Sequence, residues 1–358
     1  MSRERGTAVT GNTVLVTGGS GYFGSLLAAH LKARGDFVRT FDVATPDDEG
    51  SVEFVRGDIR DPDAVRDACK GVDVVFHNVA MVPLARDRAL FSSVNVGGTA
   101  NLLVAARDAG VRKVVHTSSS AVFGIPDANP VFEDTTPRPV EAYGRAKLRA
   151  ELLCRSAAEA GLDVTIIRPR TIMGHGRLGI AGLLFDWVAD GSDVYVLGSG
   201  DNRYQFVHAD DLAIASVAAA DRPGPAVYNI GAAEFGTMRE TLEALVVHAG
   251  TGSRVRSLPA ATAAAAMRVF SAVGLAPFAA YHWMLYGRSL WFDIGRARRE
   301  LSWEPKHSSV EMFIESYEWF LARRGELTSD GDASQHRSLV RQGALGLLKA
   351  AGRLHLGR

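Results

Sequence analysis

Tyr143 and Lys147, four residues apart in the run YGRAK, are the residue types of this chain best suited to moving a proton. On a helix that spacing places both on one face. A phenol with its ordinary pKa near 10 is a poor base at neutral pH, and a neighbouring cation stabilises its anion. A hydroxyl acidified in this way exchanges a proton with a substrate oxygen. Thr117, Ser118, Ser119 and Ser120 follow the apolar run KVVH, and one of these hydroxyls is expected to hold that oxygen against Tyr143. A second constellation lies near the start, in TGGSGYFG (Thr17 to Gly24). Glycines at 18, 21 and 24 allow a tight turn, close approach to a pyrophosphate and close helix packing, with the phosphates on the helix N-terminus. Asp42 follows 18 residues after Gly24. A carboxylate there hydrogen-bonds adenosine ribose hydroxyls and repels a 2′-phosphate, which favours NAD over NADP. Asp58, in GDIRD, is placed either to accept from the adenine amino group or to cap the helix before Pro62. A proton relay beside a dinucleotide is equipment for hydride transfer.

These groups have to be held by a regular frame. From Asn12 to Arg168, short apolar runs alternate with longer amphipathic stretches. The strands are expected at Thr13–Thr17, Phe37–Phe41, Val52–Val55, Val72–His77, Lys113–Ser118 and Asp163–Arg168, with helices between them such as Phe23–Arg34, Pro62–Lys70 and Thr99–Ala109. Gly35, Gly71, Gly110 and Gly161 stand where helices should stop. Repetition of this unit predicts an α/β fold, a Rossmann-type doubly wound parallel sheet, whose ligands lie beyond the C-terminal strand ends. After Pro169 the pattern loosens into Gly-rich stretches, a strand at Val194–Gly198 and helices near Thr237–His248 and Ser309–Arg323. The expected organisation is a polar arm (1–11), an NAD-binding Rossmann domain (12–168), a smaller C-terminal substrate-binding lid with some return to the sheet (169–324), a linker (325–334) and a basic amphipathic tail (335–358).

TGGSGYFG, Asp42, GDIRD, HNVA (His77 to Ala80), NVGGT (Asn95 to Thr99), HTSSSAVFG and YGRAK, in this order, resemble the extended short-chain dehydrogenase/reductases, specifically the NAD-dependent epimerase/dehydratase group, from Thr13 to about Arg323. The resemblance implies bound NAD, a frequent homodimer through a helix bundle that includes the Tyr helix, and a Ser/Thr, Tyr, Lys triad. In the family the catalytic hydroxyl lies five residues before the glycine of a VYG-like motif. That glycine is Gly124 here, so the triad becomes Ser119, Tyr143 and Lys147. Cofactor contacts are implied for Gly18, Gly21, Tyr22, Phe23, Gly24, Asp42, Asp58, Ile59, Ala80, Asn95 and Lys147, and no metal is expected.

Departures from the family pattern narrow the chemistry. Family members that eliminate water or decarboxylate usually carry a Glu three residues before that glycine, because elimination needs an acid and a base beyond the Tyr. This chain has Ala121 there, with Ser120 beside it. Epimerisation through a keto intermediate, or simple alcohol oxidation, is left. Nucleotide-sugar enzymes of the group commonly place an Asn where RPRTIMG has Thr171, and an Arg two residues before the aromatic of a DFV-type motif. Here Arg203 stands three before Phe206, an offset that reverses the face of a strand residue. RPRTIMG and GSGDNRYQFVHADD look at least as much like the 3β-hydroxysteroid dehydrogenase branch and like epimerases of lipid-linked sugars. Ser120, Arg170, Thr171, Arg203 and Arg288 are the candidate substrate contacts; Arg177 is a further cation, and any of these arginines could instead form a surface ion pair.

Composition bounds the remainder. With 47% hydrophobic residues and 40 basic against 40 acidic side chains, the 358-residue chain is neither disordered nor built to bind nucleic acid. Cys69 and Cys154 read as reduced thiols, and no secretory h-region opens the chain, so a cytoplasmic enzyme is expected. The tail from Gln335 carries five basic residues and no acid, leaving 35 against 40 in the body, which suggests peripheral contact with an anionic membrane. Val269–Gly287, without Asp, Glu, Lys or Arg, reads as core helices of the lid rather than a membrane span. The leading reading is an NAD-dependent 4-epimerase of a nucleotide- or lipid-linked sugar. The second is a dehydrogenase of a steroid-like secondary alcohol that releases NADH. A nucleotide-sensing protein is third, disfavoured because a sensor has no use for Ser119, Tyr143 and Lys147.

Overall fold

A computed structural model describes residues 11–46, 52–81, 88–178, 181–259 and 287–327. The 335–358 tail and nearly all of the 269–287 segment lie outside the described residues.

Seven strands form one parallel sheet: β1 (Thr13–Thr17), β2 (Phe37–Asp42), β3 (Glu53–Arg56), β4 (Val74–His77), β5 (Lys113–Thr117), β6 (Val164–Pro169) and β10 (Ala226–Ile230), in the order β10-β6-β5-β4-β1-β2-β3. The order reverses between β1 and β4, and this is where a doubly wound sheet opens its ligand crevice. Alternation along the strands supplies two apolar faces. Val14, Val16, Phe76 and Ile167 enter one core, whereas Leu15, Val75, Val114 and Ile166 enter the other. The first core is closed by α1 (Tyr22–Arg34), α7 (Ala209–Asp221) and α9 (Gly295–Leu301), the second by α2 (Pro62–Ala68), α4 (Thr99–Asp108) and α5 (Ala142–Glu159). Gly35 ends α1 at φ 97°, the left-handed conformation its position suggested.

Ahead of α4, the chain runs through α3 (Arg88–Ser92) and a π-helical turn, Ser93–Gly98. Together they make the one helix among the described residues, Ala89–Asp108, long and apolar enough to cross a membrane; half of it is buried inside the molecule, as in a core helix. Cys69 and Cys154 are free and buried in the second core.

After Pro169 the chain divides its residues between two places. β10, α7 and α9 complete the first core, which the looser sequence pattern had largely hidden. A third core gathers β7 (Thr171–Met173), α6 (Ala181–Ala189), β8 (Val194–Leu197), β9 (Phe206–His208), α8 (Met238–Ala249), β11 (Val255–Leu258) and α10 (Ser309–Leu327). Its centre is Phe185, in contact with Phe313, Tyr317 and Phe320. β7 pairs with β9 and β8 with β11, both in parallel.

Candidate active site

The four hydroxyls leaving β5 meet different fates. Thr117 donates to Asn78 Oδ1 at 2.6 Å, and Ser118 donates to Glu151 Oε1 at 2.6 Å inside the protein. Ser120 is buried in the short 3₁₀ turn Ser120–Phe123. Ser119 caps that turn, its oxygen accepting from the Ala121 amide at 3.2 Å, which leaves its O–H to donate elsewhere. Thr117 and Ser118 are thus engaged inside the protein, and Ser119 and Ser120 are the two hydroxyls of the run that donate to no group among the described residues.

Tyr143 stands in the first turn of α5, and Phe91 meets its ring edge-on at 6.2 Å. Glu141, the residue just before α5, caps the helix by accepting from the Tyr143 and Gly144 amides at 2.7 and 2.6 Å, a contribution the sequence reading missed because Glu is not among the usual capping residues. Gly144 lets α5 press onto the turn that Ser119 caps: a Cβ there would lie inside contact distance of the Ala121 carbonyl. Gly144→Ala should therefore push Tyr143 out of register with Ser119 and lower kcat by about 100-fold while NAD affinity changes little. Steady-state kinetics beside coenzyme titration checks this, and unchanged kcat would contradict it.

Lys147, 2% exposed, donates from Nζ to the Thr117 carbonyl at 2.8 Å. Burial pushes its pKa down to about 8, opposed by Cys154 and Glu151. Beneath it, Thr17 Oγ1 lies 2.8 Å from His77 Nδ1, His77 Nε2 lies 3.0 Å from Thr99 Oγ1, and Thr99 donates to the Asn95 carbonyl. Burial, with Lys147 adding to it, takes His77 down to about 3 and His116 well below its ordinary value, so both imidazoles are neutral. A cation with pKa about 8 loses its charge as pH rises through that value. The alkaline limb of kcat/KM should fall from about pH 8. Unfolding should move the other way: between about 8 and the ordinary Lys value of 10.5 the unfolded chain binds the extra proton, so ligand-free stability rises. Lys147→Arg, which stays charged, should remove the break from the rate profile; an unaltered break would assign it to another group.

Glu151, also missed, is the centre of a buried cluster. It accepts from Ser118 and forms a two-bond ion pair with Arg168 at 2.9 and 2.6 Å, and Arg168 lies 4.9 Å from the Phe123 ring centroid. Its sequence signal was the i,i+4 step from Lys147.

At the other end of the crevice, Gly18 has φ 72°, and a Cβ on Gly24 would meet the Gly18 carbonyl. Gly21 caps α1 without any side-chain bond, so the first-turn amides keep no side-chain partner of their own cap. Asp42 accepts from the Ser20 and Ala44 amides at 3.1 Å each, which sets its carboxylate beside the glycine turn. This cradle fits a dinucleotide pyrophosphate and ribose. Tyr22 and Phe23 are buried, and Tyr22 donates to the His175 carbonyl at 3.1 Å. Asp58 does not cap α2; Asp61 does, while Asp58 is paired with Arg60, whose hydrogen bonds lower its pKa. Ile59 packs against Gly98, Ala80 is half-buried, and Asn95 clamps the Met81 backbone at 2.7 and 3.1 Å, so its amide shapes the loop after β4.

The substrate candidates separate. Thr171 Oγ1 lies 3.1 Å from Tyr204 Oη. Arg203 is exposed and outside any strand, its guanidinium 4.9 and 5.0 Å from the Phe235 and Trp291 ring centroids. Arg288 is exposed, and Arg177 stacks on Tyr22. Arg170 is buried, as neither a surface residue nor an ion-pair member. One further cluster had not been foreseen: potential ligand atoms of His175, His208 and Glu315 lie within 4.8 Å of one another. His208 Nδ1 accepts from the Asp210 amide, so the imidazole proton sits on Nε2 and faces Glu315 at 3.1 Å. That tautomer suits a hydrogen bond joining α10 to the sheet and opposes metal ligation through Nε2.

Comparison with known proteins supplies the remaining observations. The family model described as NAD dependent epimerase/dehydratase family matches residues 14–231. The chain is 52% identical over 344 residues to "Uncharacterized protein y4nG" of Sinorhizobium fredii, covering 96% of this chain and 87% of that one. It is 31% identical to a UDP-glucose 4-epimerase of Mycolicibacterium smegmatis over 86% of this chain and 97% of the relative. It is 30% identical to a 3 beta-hydroxysteroid dehydrogenase/Delta 5-->4-isomerase of Mycobacterium tuberculosis over 92% and 95%. Among solved structures, MoeE5 in complex with UDP-glucose and NAD superposes with a TM-score of 0.69 at 26% identity, covering 88% of this chain and 100% of that one.

Proposed function

Because this chain belongs to the NAD-dependent epimerase/dehydratase family and is an NAD-dependent enzyme of the extended short-chain dehydrogenase/reductase type, we propose that it is a 4-epimerase of a nucleotide- or lipid-linked sugar, working through a keto intermediate. The reading is supported by Ser119 capping the turn after β5, Lys147 reaching the Thr117 carbonyl at the end of that strand, and Tyr143 one helical turn from Lys147 on α5, with the 2%-exposed Ala121 where an eliminating enzyme would carry an acid. NAD, when bound, would supply the hydride acceptor and donor for the carbinol carbon. Ser119 donates to the substrate oxygen and orients it. Tyr143 removes the hydroxyl proton, its phenolate held by the Lys147 charge. After the keto sugar turns its other face, Tyr143 returns the proton to the same oxygen. Gly18, Gly21, Gly24 and Asp42 hold the dinucleotide, and residues of the third core are the lid over the sugar.

A second reading, oxidation of a hydrophobic secondary alcohol such as a 3β-hydroxysteroid, is favoured by Thr171, which is bonded to Tyr204 where a sugar-nucleotide enzyme would present an Asn amide. Incubation with UDP-hexoses and with a 3β-hydroxysteroid, while following absorbance of the reduced coenzyme, separates the two. Epimer formation without added coenzyme supports the first; stoichiometric accumulation of reduced coenzyme overturns it.

The proposal includes a cytoplasmic homodimer through α4 and α5 and a membrane-surface role for residues 335–358. Val104 on α4 and Leu152 on α5 are 51% and 55% exposed, an apolar pair suited to a second copy. Leu152→Glu should shift the enzyme to monomer in light scattering. A dimer that persists in the variant excludes this face.

A further inference from the structure

Two arginines mark the end of β6, Arg168 within it and Arg170 just after it, each 1% exposed. Arg168 is matched by Glu151. Arg170 is matched by nothing: its Nε, Nη1 and Nη2 are all buried, and none has a hydrogen-bond partner among the described residues. Guanidinium does not deprotonate inside proteins, so the charge has to be answered by another group. The rings of Tyr204 and Phe292, with centroids 4.6 and 5.5 Å from the guanidinium carbon, supply cation–π contact but take none of its five N–H donors. A buried charge without a partner is retained only where something else requires it.

Its place says what that is. Phe292 meets Phe123 edge-on at 5.6 Å, and Phe123 closes the 3₁₀ turn that Ser119 caps. Thr171, the next residue, shares its hydroxyl with Tyr204, the ring on which Arg170 stacks. Arg170 therefore lies in the wall behind the catalytic turn, beyond the C-terminal end of β6. We infer that Arg170 is the receptor for an oxyanion of the substrate, a carboxylate or phosphoryl group whose paired oxygens match the guanidinium fork. This rests on reading the crevice beyond β5 and β6 as the substrate site, and it defines the substrate as one that carries an oxyanion.

Arg170→Met and Arg170→Lys test it. UDP-glucose and UDP-glucuronate differ by one carboxylate on the sugar, and a 3β-hydroxysteroid and its 4-carboxylate differ likewise. Loss of a charge-assisted bond should weaken the recognised ligand about 10- to 100-fold in Arg170→Met and less in Arg170→Lys. Weakening confined to the acid of a pair assigns the anion to the carboxylate; equal weakening of both UDP-sugars assigns it to the phosphoryl group. Unchanged affinity for every ligand that wild type binds overturns the inference. A ligand-free arm separates this from the choice of substrate. Met in place of an unmatched charge should leave the melting temperature equal or higher, and inorganic phosphate or malonate should raise it in wild type but not in Arg170→Met. If wild type binds none of the four ligands, the sugar and sterol readings fall, and this arm alone decides: a destabilised Met variant with unaltered anion response makes Arg170 structural.

Discussion

Tyr143→Phe should lower turnover by about 10²- to 10⁴-fold while NAD still binds. The substitution removes one oxygen and keeps the ring that meets Phe91, so α5 and its Glu141 cap have no reason to move. What is lost is the group to which the proposed mechanism gives the substrate proton. Ser119 can orient the oxygen, but a serine hydroxyl is itself no base at neutral pH, and Lys147 is bonded to the Thr117 carbonyl. Coenzyme titration by fluorescence and single-turnover kinetics on the same preparation provide the check. A Phe variant with wild-type turnover would remove Tyr143 from the mechanism under either substrate reading.

Glu151→Ala should cost about 3–5 kcal/mol of stability, the largest effect expected outside the catalytic set. Glu151 is fully buried, Arg168 is 1% exposed, and the carboxylate answers both the guanidinium and the Ser118 hydroxyl. Truncation leaves Arg168 charged in the core with only the Glu133 carbonyl and the Phe123 ring. Replacing both partners by apolar residues, Glu151→Leu with Arg168→Met, should recover most of the loss, because a buried pair contributes less than a broken one costs. Urea unfolding of the three variants decides it. A loss below about 1 kcal/mol for the single substitution would mean that water reaches the pair.

Much of the site could be read from the chain because its signals are local. TGGSGYFG joins a strand to a helix within eight residues, and Tyr143 and Lys147 share one helical face. Asp42 follows from the strand that must pair beside β1. Other parts were hidden. β10 joins the sheet only through its pairing with β6, about sixty residues earlier, and an apolar pentapeptide after Pro223 carries no mark of that partner. The histidines at 175 and 208 meet Glu315 across more than a hundred residues.

By itself the sequence determined the order of βα units, the glycine turn after β1 and the shared helix of Tyr143 and Lys147, since backbone turn, helical repeat and strand alternation depend on neighbours in the chain. Only the tertiary structure decided which of four adjacent hydroxyls are occupied inside the protein and which of two arginines is matched. Ser118 is taken by a residue 33 positions away and Arg168 by one 17 away. Burial and pairing arise from what distant segments bring together, so Arg168 and Arg170, two residues apart and alike in the chain, became a member of a structural ion pair and a charge without a hydrogen-bond partner among the described residues.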